Sequence, residues 1–453
     1  MQSLFLTGVF AALMFAGFST AFIAALGFIW VDIVRPQHLA YSIINDLPLS
    51  FIAAVLTLTL FVLKDRKYLP KFGTLLFLLV LFTIWVTFTT YLSAFPVQAW
   101  AKWDWASKVL IFAVVMPYIF RSRIQIEAFI LTFVFGACTI VFPAGIKTLL
   151  GGGGYQSLSV MGTGNSGLSE SSTLAVVCVM MIPLAIFLMR HSLVFPRNKL
   201  TRGLFISIIF VALAAVVGTG ARTGIIAVAV MVMLSMLQSK KKLWWLAGIA
   251  VVAVVLLNLD LSSTAWGSRM STIETYNSDS SALGRIRVWE WTLDYVASHP
   301  LGGGFNSFLH NRIGAVASDG TVMYLPEGQI GGKAFHSIYF ELLGEQGFFG
   351  FAVYFAIIAI VLFKLLKLKK AWRNHEGMGW VADLSNAMLT GVMVFLAGGA
   401  FVGIAYQPFI FYMISLTVAI DQYAMRVQSD QREQIKAGEQ AASEQAARKQ
   451  AIS

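Results

Sequence analysis

The chain has 453 residues, of which 58% are hydrophobic and only 12% charged. A soluble domain is nearer half apolar and a quarter charged, so a water-soluble fold is excluded and the class is a polytopic membrane protein. The net charge of +11 comes from short basic clusters between apolar runs, a pattern that sets membrane orientation and argues against nucleic-acid binding.

The apolar runs are long and continuous rather than alternating, so they read as helices and not barrel strands. Residues 4–33 are apolar almost throughout, too long for one upright span of about 20 residues and short for two. Gly17-Phe18-Ser19-Thr20 marks a turn or a kink inside this run. The run has no basic segment before it, so no cleavable signal peptide is expected. Further spans are expected over about 49–63, 74–91, 108–120, 128–150, 173–188, 204–220, 224–237 and 243–257. After a long polar interval, three more follow, from about 348, over 384–403 and over 409–425. No internal repeat is visible. Cys138 and Cys178 fall inside apolar runs and read as small packing residues.

The basic clusters assign sides. Those at 64–67, 121–123, 190–202, 240–242 and 364–370 belong inside. Parity then puts 98–107, 151–172, 218–223 and the interval 259–341 on the outer face. With 4–33 as one long bent helix, the total is about 12 spans with both termini inside; with a hairpin there it is about 13, with the N-terminus outside. The single bent helix is taken as the expectation. The organisation is thus a transmembrane part over 1–258, an outer loop over 259–341, further spans over 342–426, and a polar cytoplasmic tail over 427–453. The tail has a helical composition but too little apolar surface to pack.

Candidate chemistry gathers on the outer face. Residues from Asp279 to about Ser298 read as a helix with a Ser or Asp N-cap, stopped by His299-Pro300 and Gly302-Gly303-Gly304. Its apolar stripe, Leu283, Ile286, Trp289 and Leu293, packs on the membrane part. Arg285 lies in its first turn, where a guanidinium and free helix N–H groups can converge on an anion. Arg222, in Gly218-Thr219-Gly220-Ala221-Arg222, stands on the outer side, against the positive-inside trend. It either snorkels and caps carbonyls or holds an anion at membrane level.

His336 opens a helical stretch, with Tyr339 and Phe340 following. A lone histidine is either a structural residue or, near two arginines, a base available at neutral pH. Trp100, Trp103 and Trp105 suit an interfacial belt. Lys102 and Lys108 beside them either snorkel or assist in holding phosphate. No metal-ligand spacing, phosphate-binding loop or nucleophile elbow is present, so neither a metal nor another cofactor is expected.

Arg269-Met270-Ser271-Thr272-Ile273, Ser281-Ala282-Leu283-Gly284-Arg285 with Trp289, His299-Pro300-Leu301-Gly302-Gly303-Gly304-Phe305, and His336-Ser337-Ile338-Tyr339 with Leu343-Gly344-Glu345-Gln346-Gly347 closely resemble the O-antigen ligase (Wzy_C) superfamily. The stretch from Arg35-Pro36-Gln37 to Asp46-Leu47-Pro48 resembles the subgroup called exosortase-A-associated O-glycosylation ligases. The resemblance covers nearly the whole chain apart from the tail. It implies an all-α membrane bundle of GT-C type in the bacterial inner membrane, with its active site facing the periplasm. It implies transfer of a glycan from undecaprenyl diphosphate to a lipid A–core acceptor. On this likeness Arg222 and Arg285 would hold the diphosphate and His336 would be essential, with Lys108 and Tyr339 as secondary candidates. Residues 161–175, with Glu170, depart from the acidic, Asn-rich segment often found in the family and carry no role. The alternatives are a polymerase or a protein or exopolysaccharide ligase using the same donor and, from other classes, a transporter or a scaffold. A transporter would show ionisable residues at mid-membrane and broken helices in matched halves, whereas these spans are nearly uncharged.

Overall fold

The structure is a computed structural model that describes residues 2–39, 47–65, 72–152, 168, 170–239, 242 and 280–452. The expected span at 243–257, the Arg269 motif, Asp279, Lys240-Lys241 and most of 151–172 lie outside the described residues. Among the described residues, seven helices are long and apolar enough to cross a membrane. They are α4 (Thr74–Tyr91), α6 (Arg123–Lys147), α7 (Ser171–His191), α8 (Lys199–Thr219), α11 (Ile338–Trp372), α12 (Gly379–Gly399) and α13 (Pro408–Ile452). Between them run α1 (Gln2–Gly17), α2 (Ala21–Val34), α3 (Leu49–Leu60), α5 (Pro96–Ile119), α9 (Arg222–Gln238) and α10 (Ser280–Ser298). A short antiparallel hairpin, β1 (Ile313–Val316) with β2 (Val322–Tyr324), lies between α10 and α11.

The N-terminal run corrects the sequence expectation. It is not one bent helix but two helices folded back on each other. Leu6 is buried with Trp30, Val31 and Val34. A methyl on Gly17 would fall 3.2 Å from the Ala24 backbone, and one on Gly27 would collide with the Met14 side chain. Helices meet in lipid by close packing of small residues, and these glycines let α1 lie against α2. Thr20 starts the second helix as its N-cap, accepting a hydrogen bond from the Ile23 N–H and satisfying one of the free first-turn donors.

Two further boundaries shift. α5 begins at Pro96, more than three turns before the expected span, so Lys102 and the three tryptophans are helical. The polar tail does not leave the helix: α13 continues from the last span to Ile452.

The bundle has two polar ends. At one end Arg121 pairs with Asp65 at 3.4 Å, Arg123 donates to the His191 carbonyl, and Arg426 donates to the Arg121 carbonyl. There too His191 meets Asp383, and Glu127 accepts the Leu193 and Val194 N–H groups that end α7. The basic clusters of the sequence that fall on described residues meet at this end. The opposite end collects the start of α5, α7, α9, α11 and α13 and the end of α2, α4 and α12. Buried α7 passes between the two, packed on α6, α8, α9 and α12.

At that second end two glycine-rich segments interlock. Gly303 N–H donates to the Gly344 carbonyl and Gly304 N–H to the Glu345 carbonyl, each at 2.9 Å. A kink at Gly347 (φ 62°, ψ −168°) separates the first turns of α11 from its apolar length. A methyl there would fall 2.2 Å from the Pro300 carbonyl oxygen. Gly347→Ala is therefore expected to cost more than the roughly 1–2 kcal/mol of a left-handed alanine. Gly377, also at positive φ but with nothing within 4 Å, is the control. Thermal unfolding in detergent should rank Gly347→Ala below Gly377→Ala; equal melting points would contradict the interlock.

Candidate functional site

The cavity at this end is lined by Lys102, Glu170, Thr173, Phe335, His336, Glu341, Glu345 and Gln407, with Phe308, Ala334, Val402 and Gly403 completing the wall. Its ionisable side chains come from three helices and one loop. Glu341 and Glu345 are four residues apart, so one face of α11 carries both. Lys102 reaches them from the first half of α5.

The contacts are short and mutual. Lys102 Nζ lies 2.7 Å from Glu341 Oε1 and 2.8 Å from Glu345 Oε1. Glu345 is fully buried and also accepts the Asn306 N–H at 2.9 Å. Glu341 Oε2 accepts the Ala405 N–H at 3.0 Å. The ammonium lies over the rings of Phe305 and Tyr406, at 5.1 and 4.8 Å from their centroids. Charges this deep persist only when paired and hydrogen-bonded. Here the backbone of two loops and the faces of two rings complete the pairing.

His336 sits on the loop that delivers the chain into α11. Its backbone is left-handed, φ 50°, a conformation that costs a non-glycine residue about 1–2 kcal/mol and is found where surroundings over-determine it. Those surroundings are visible. Trp289 of α10 donates from Nε1 to the Phe335 carbonyl at 2.8 Å and stacks on Phe340, 4.9 Å between centroids. Asn311 clamps the approaching strand through the Lys333 N–H and carbonyl. The same stripe that the sequence assigns to packing thus fixes the backbone on both sides of the histidine.

Burial pushes the His336 imidazole below its ordinary 6.5. The adjacent Arg285 guanidinium pushes the same way, Glu170 opposes it, Lys333 adds to it and Glu341 opposes it. The ring is therefore neutral at neutral pH, with an acceptor nitrogen. Arg285 lies on the second turn of α10, whose Gly284 leaves room for the Lys333 side chain to cross. Arg222 opens α9 at the same end of the bundle, where Gly224 packs against Ala175 near the start of α7.

Two sequence candidates point elsewhere. Lys108 pairs with Asp104 at 2.7 Å on another face of α5. The Tyr339 hydroxyl donates to the Leu396 carbonyl at 3.1 Å, with its ring stacked on Phe355. Neither lines the cavity. Conversely, Glu341, Glu345 and Glu170 carry no role in the sequence reading. Glu170 caps α7, accepting the Thr173 N–H at 2.7 Å, and faces the cavity. A signal for the α11 pair was present: two acids one helical turn apart, running into an apolar span, are functional candidates at membrane level. Among the described residues no cluster of three or more His, Cys, Asp or Glu side chains could hold a metal ion.

Two family models match the chain. Residues 206–355 match the O-antigen ligase family, Wzy_C. Residues 1–193 match a family of unknown function, DUF5935. No curated protein matches. The chain is thus a multi-pass membrane protein of which one segment is similar to the O-antigen ligase family. Removing the lysine should leave two buried carboxylates without their cation. Lys102→Ala is expected to destabilise by about 3–5 kcal/mol, read as a lowered melting point; an unchanged one would mean the pairing contributes nothing.

Proposed function

We propose that the O-antigen ligase domain, completed by the N-terminal half, transfers a glycan from undecaprenyl diphosphate to a lipid A–core hydroxyl at the periplasmic face. The observation that carries this reading is the placement of His336. It is neutral, half-buried and beside a cavity, with Arg285 acting on it electrostatically and Arg222 at the same end of the bundle. The basic clusters at the opposite end support a periplasmic orientation for the cavity. With the N-terminal run a hairpin, a full complement of about 13 spans puts the N-terminus on the periplasmic side too. The architecture is read as GT-C type, and the 1–193 segment as the N-terminal half of the exosortase-A-associated subgroup.

In this reaction the acceptor oxygen attacks the anomeric carbon of the donor glycan. The bond from that carbon to the diphosphate oxygen breaks, and the electron pair leaves with the undecaprenyl diphosphate. Attack opposite the leaving group inverts the anomeric centre. The acceptor proton passes to the His336 ring. General base catalysis of this kind contributes about 10²–10⁴-fold. The guanidiniums of Arg222 and Arg285 stabilise the charge that develops on the diphosphate, in a site where low dielectric strengthens each contact. A polymerase would use the same donor and chemistry with a second lipid-linked glycan as acceptor.

Purified protein, a lipid-diphosphate glycan and lipid A–core supply the test. Arg222→Ala, Arg285→Ala and His336→Asn should each remain folded and lose most transfer, on the order of 10²-fold or more. Asparagine tolerates the left-handed backbone at 336. Product that forms only ladders free of lipid A–core would select the polymerase instead. The kcat/KM of the parent should hold at neutral pH and fall on acidification below 6.5, as His336 takes a proton. A profile flat to lower pH would remove the histidine from its role. Transfer should survive EDTA; loss restored by a divalent ion would contradict a reaction run by side chains alone.

A further inference from the structure

His336 stands among charged side chains from the elements around it. Arg285 of α10, Lys333 of the loop before α11, Glu170 at the start of α7 and Glu341 of α11 act on its ring, and Glu345 of α11 and Lys102 of α5 line the same cavity. Three cations thus stand with three carboxylates. Two of the carboxylates, Glu341 and Glu345, share the single ammonium of Lys102. Holding α11 against α5 needs only one ion pair. The second acid is buried, costs desolvation, and lies on the cavity wall with the histidine.

We propose that Lys102, Glu341 and Glu345 are positioning residues that set the proton affinity of His336. The surplus carboxylate of the trio stabilises the imidazolium formed on proton uptake, and Lys102 limits how much of that charge reaches the ring. The role rests on the reading of His336 as the base. The chemistry requires it for two reasons. A ring held neutral by burial and two adjacent cations is a weak base. A nearby carboxylate that strengthens its attraction for the proton restores the driving force. The trio sits in a low-dielectric pocket, where a single charge acts over several ångströms. Hydrogen bonds from the Asn306 and Ala405 N–H groups fix the two carboxylates in place around Lys102.

The test is the titration of the His336 ring itself, followed by NMR on histidine-labelled full-length protein in nanodiscs between about pH 5 and 8. The resonance is assigned by its loss in His336→Asn. Glu341→Gln keeps the shape and one accepting oxygen but removes one negative charge; the midpoint should fall by on the order of one pH unit. Lys102→Met removes a positive charge and should raise it by a similar amount. The double variant Lys102→Met/Glu341→Gln removes one charge of each sign and should return the midpoint toward the parent value. A purely structural trio would move all three in one direction or not at all, and either result overturns the proposal. Should Lys102→Met fail to fold, the other two variants decide: a midpoint that stays or rises in Glu341→Gln overturns it. Because the readout is not transfer, the two readings separate. A protein that titrates as expected yet transfers no glycan contradicts the ligase reading alone. A protein that transfers glycan with an unmoved histidine contradicts the trio alone.

Discussion

One ammonium held between two buried carboxylates organises the cavity end of this bundle. Lys102, Glu341 and Glu345 join a helix from the first quarter of the chain to one from the last third. Through Asn306 and Ala405 they also recruit the two loops that roof the cavity. Such a junction is costly to desolvate and weak evidence for stability. Its value is geometric, because only one arrangement of four segments satisfies all its donors and acceptors. The left-handed His336 backbone is affordable only inside such an over-determined frame.

The glycines extend the same constraint. Where Gly302 lies against Glu345 and Gly347, no side chain fits between the two backbones. The hydrogen bonds across this contact carry the two motifs as one unit. The kink at Gly347 then lets the first turns of α11 belong to the cavity while the remainder belongs to the membrane. The aromatic anchors Trp289 and Phe340 tie α10 to this unit, and so place Arg285 beside the imidazole.

Much of this was legible from the residues. Continuous apolar runs marked the helices, because a span needs only length and composition. Basic clusters marked one end, since short charged turns have no other role between spans. His336 and Arg285 stood out because ionisable groups are rare in so greasy a chain. The N-terminal hairpin is the less favoured of two sequence readings because a run of 30 apolar residues has the same composition bent or folded, and only the Gly17, Ala24 and Gly27 contacts tell the two apart. The sequence favours Lys108 over Lys102 as a secondary candidate although both flank tryptophans; six positions apart on a helix, they face different ways, and it is Lys102 that lines the cavity. The glutamates carry no role in the sequence because their partner lies 239 and 243 positions away.

The cavity does not respect the division of the sequence. Lys102 and Glu170 come from the segment that matches a family of unknown function, whereas His336, Glu341 and Glu345 come from the segment that matches ligases. A graft of either half onto a foreign counterpart would therefore split the charge set, leaving acids without their cation or a cation without its acids. The two segments are compatible only as a matched set, and the first acquires a definite purpose as the supplier of the missing counter-ion.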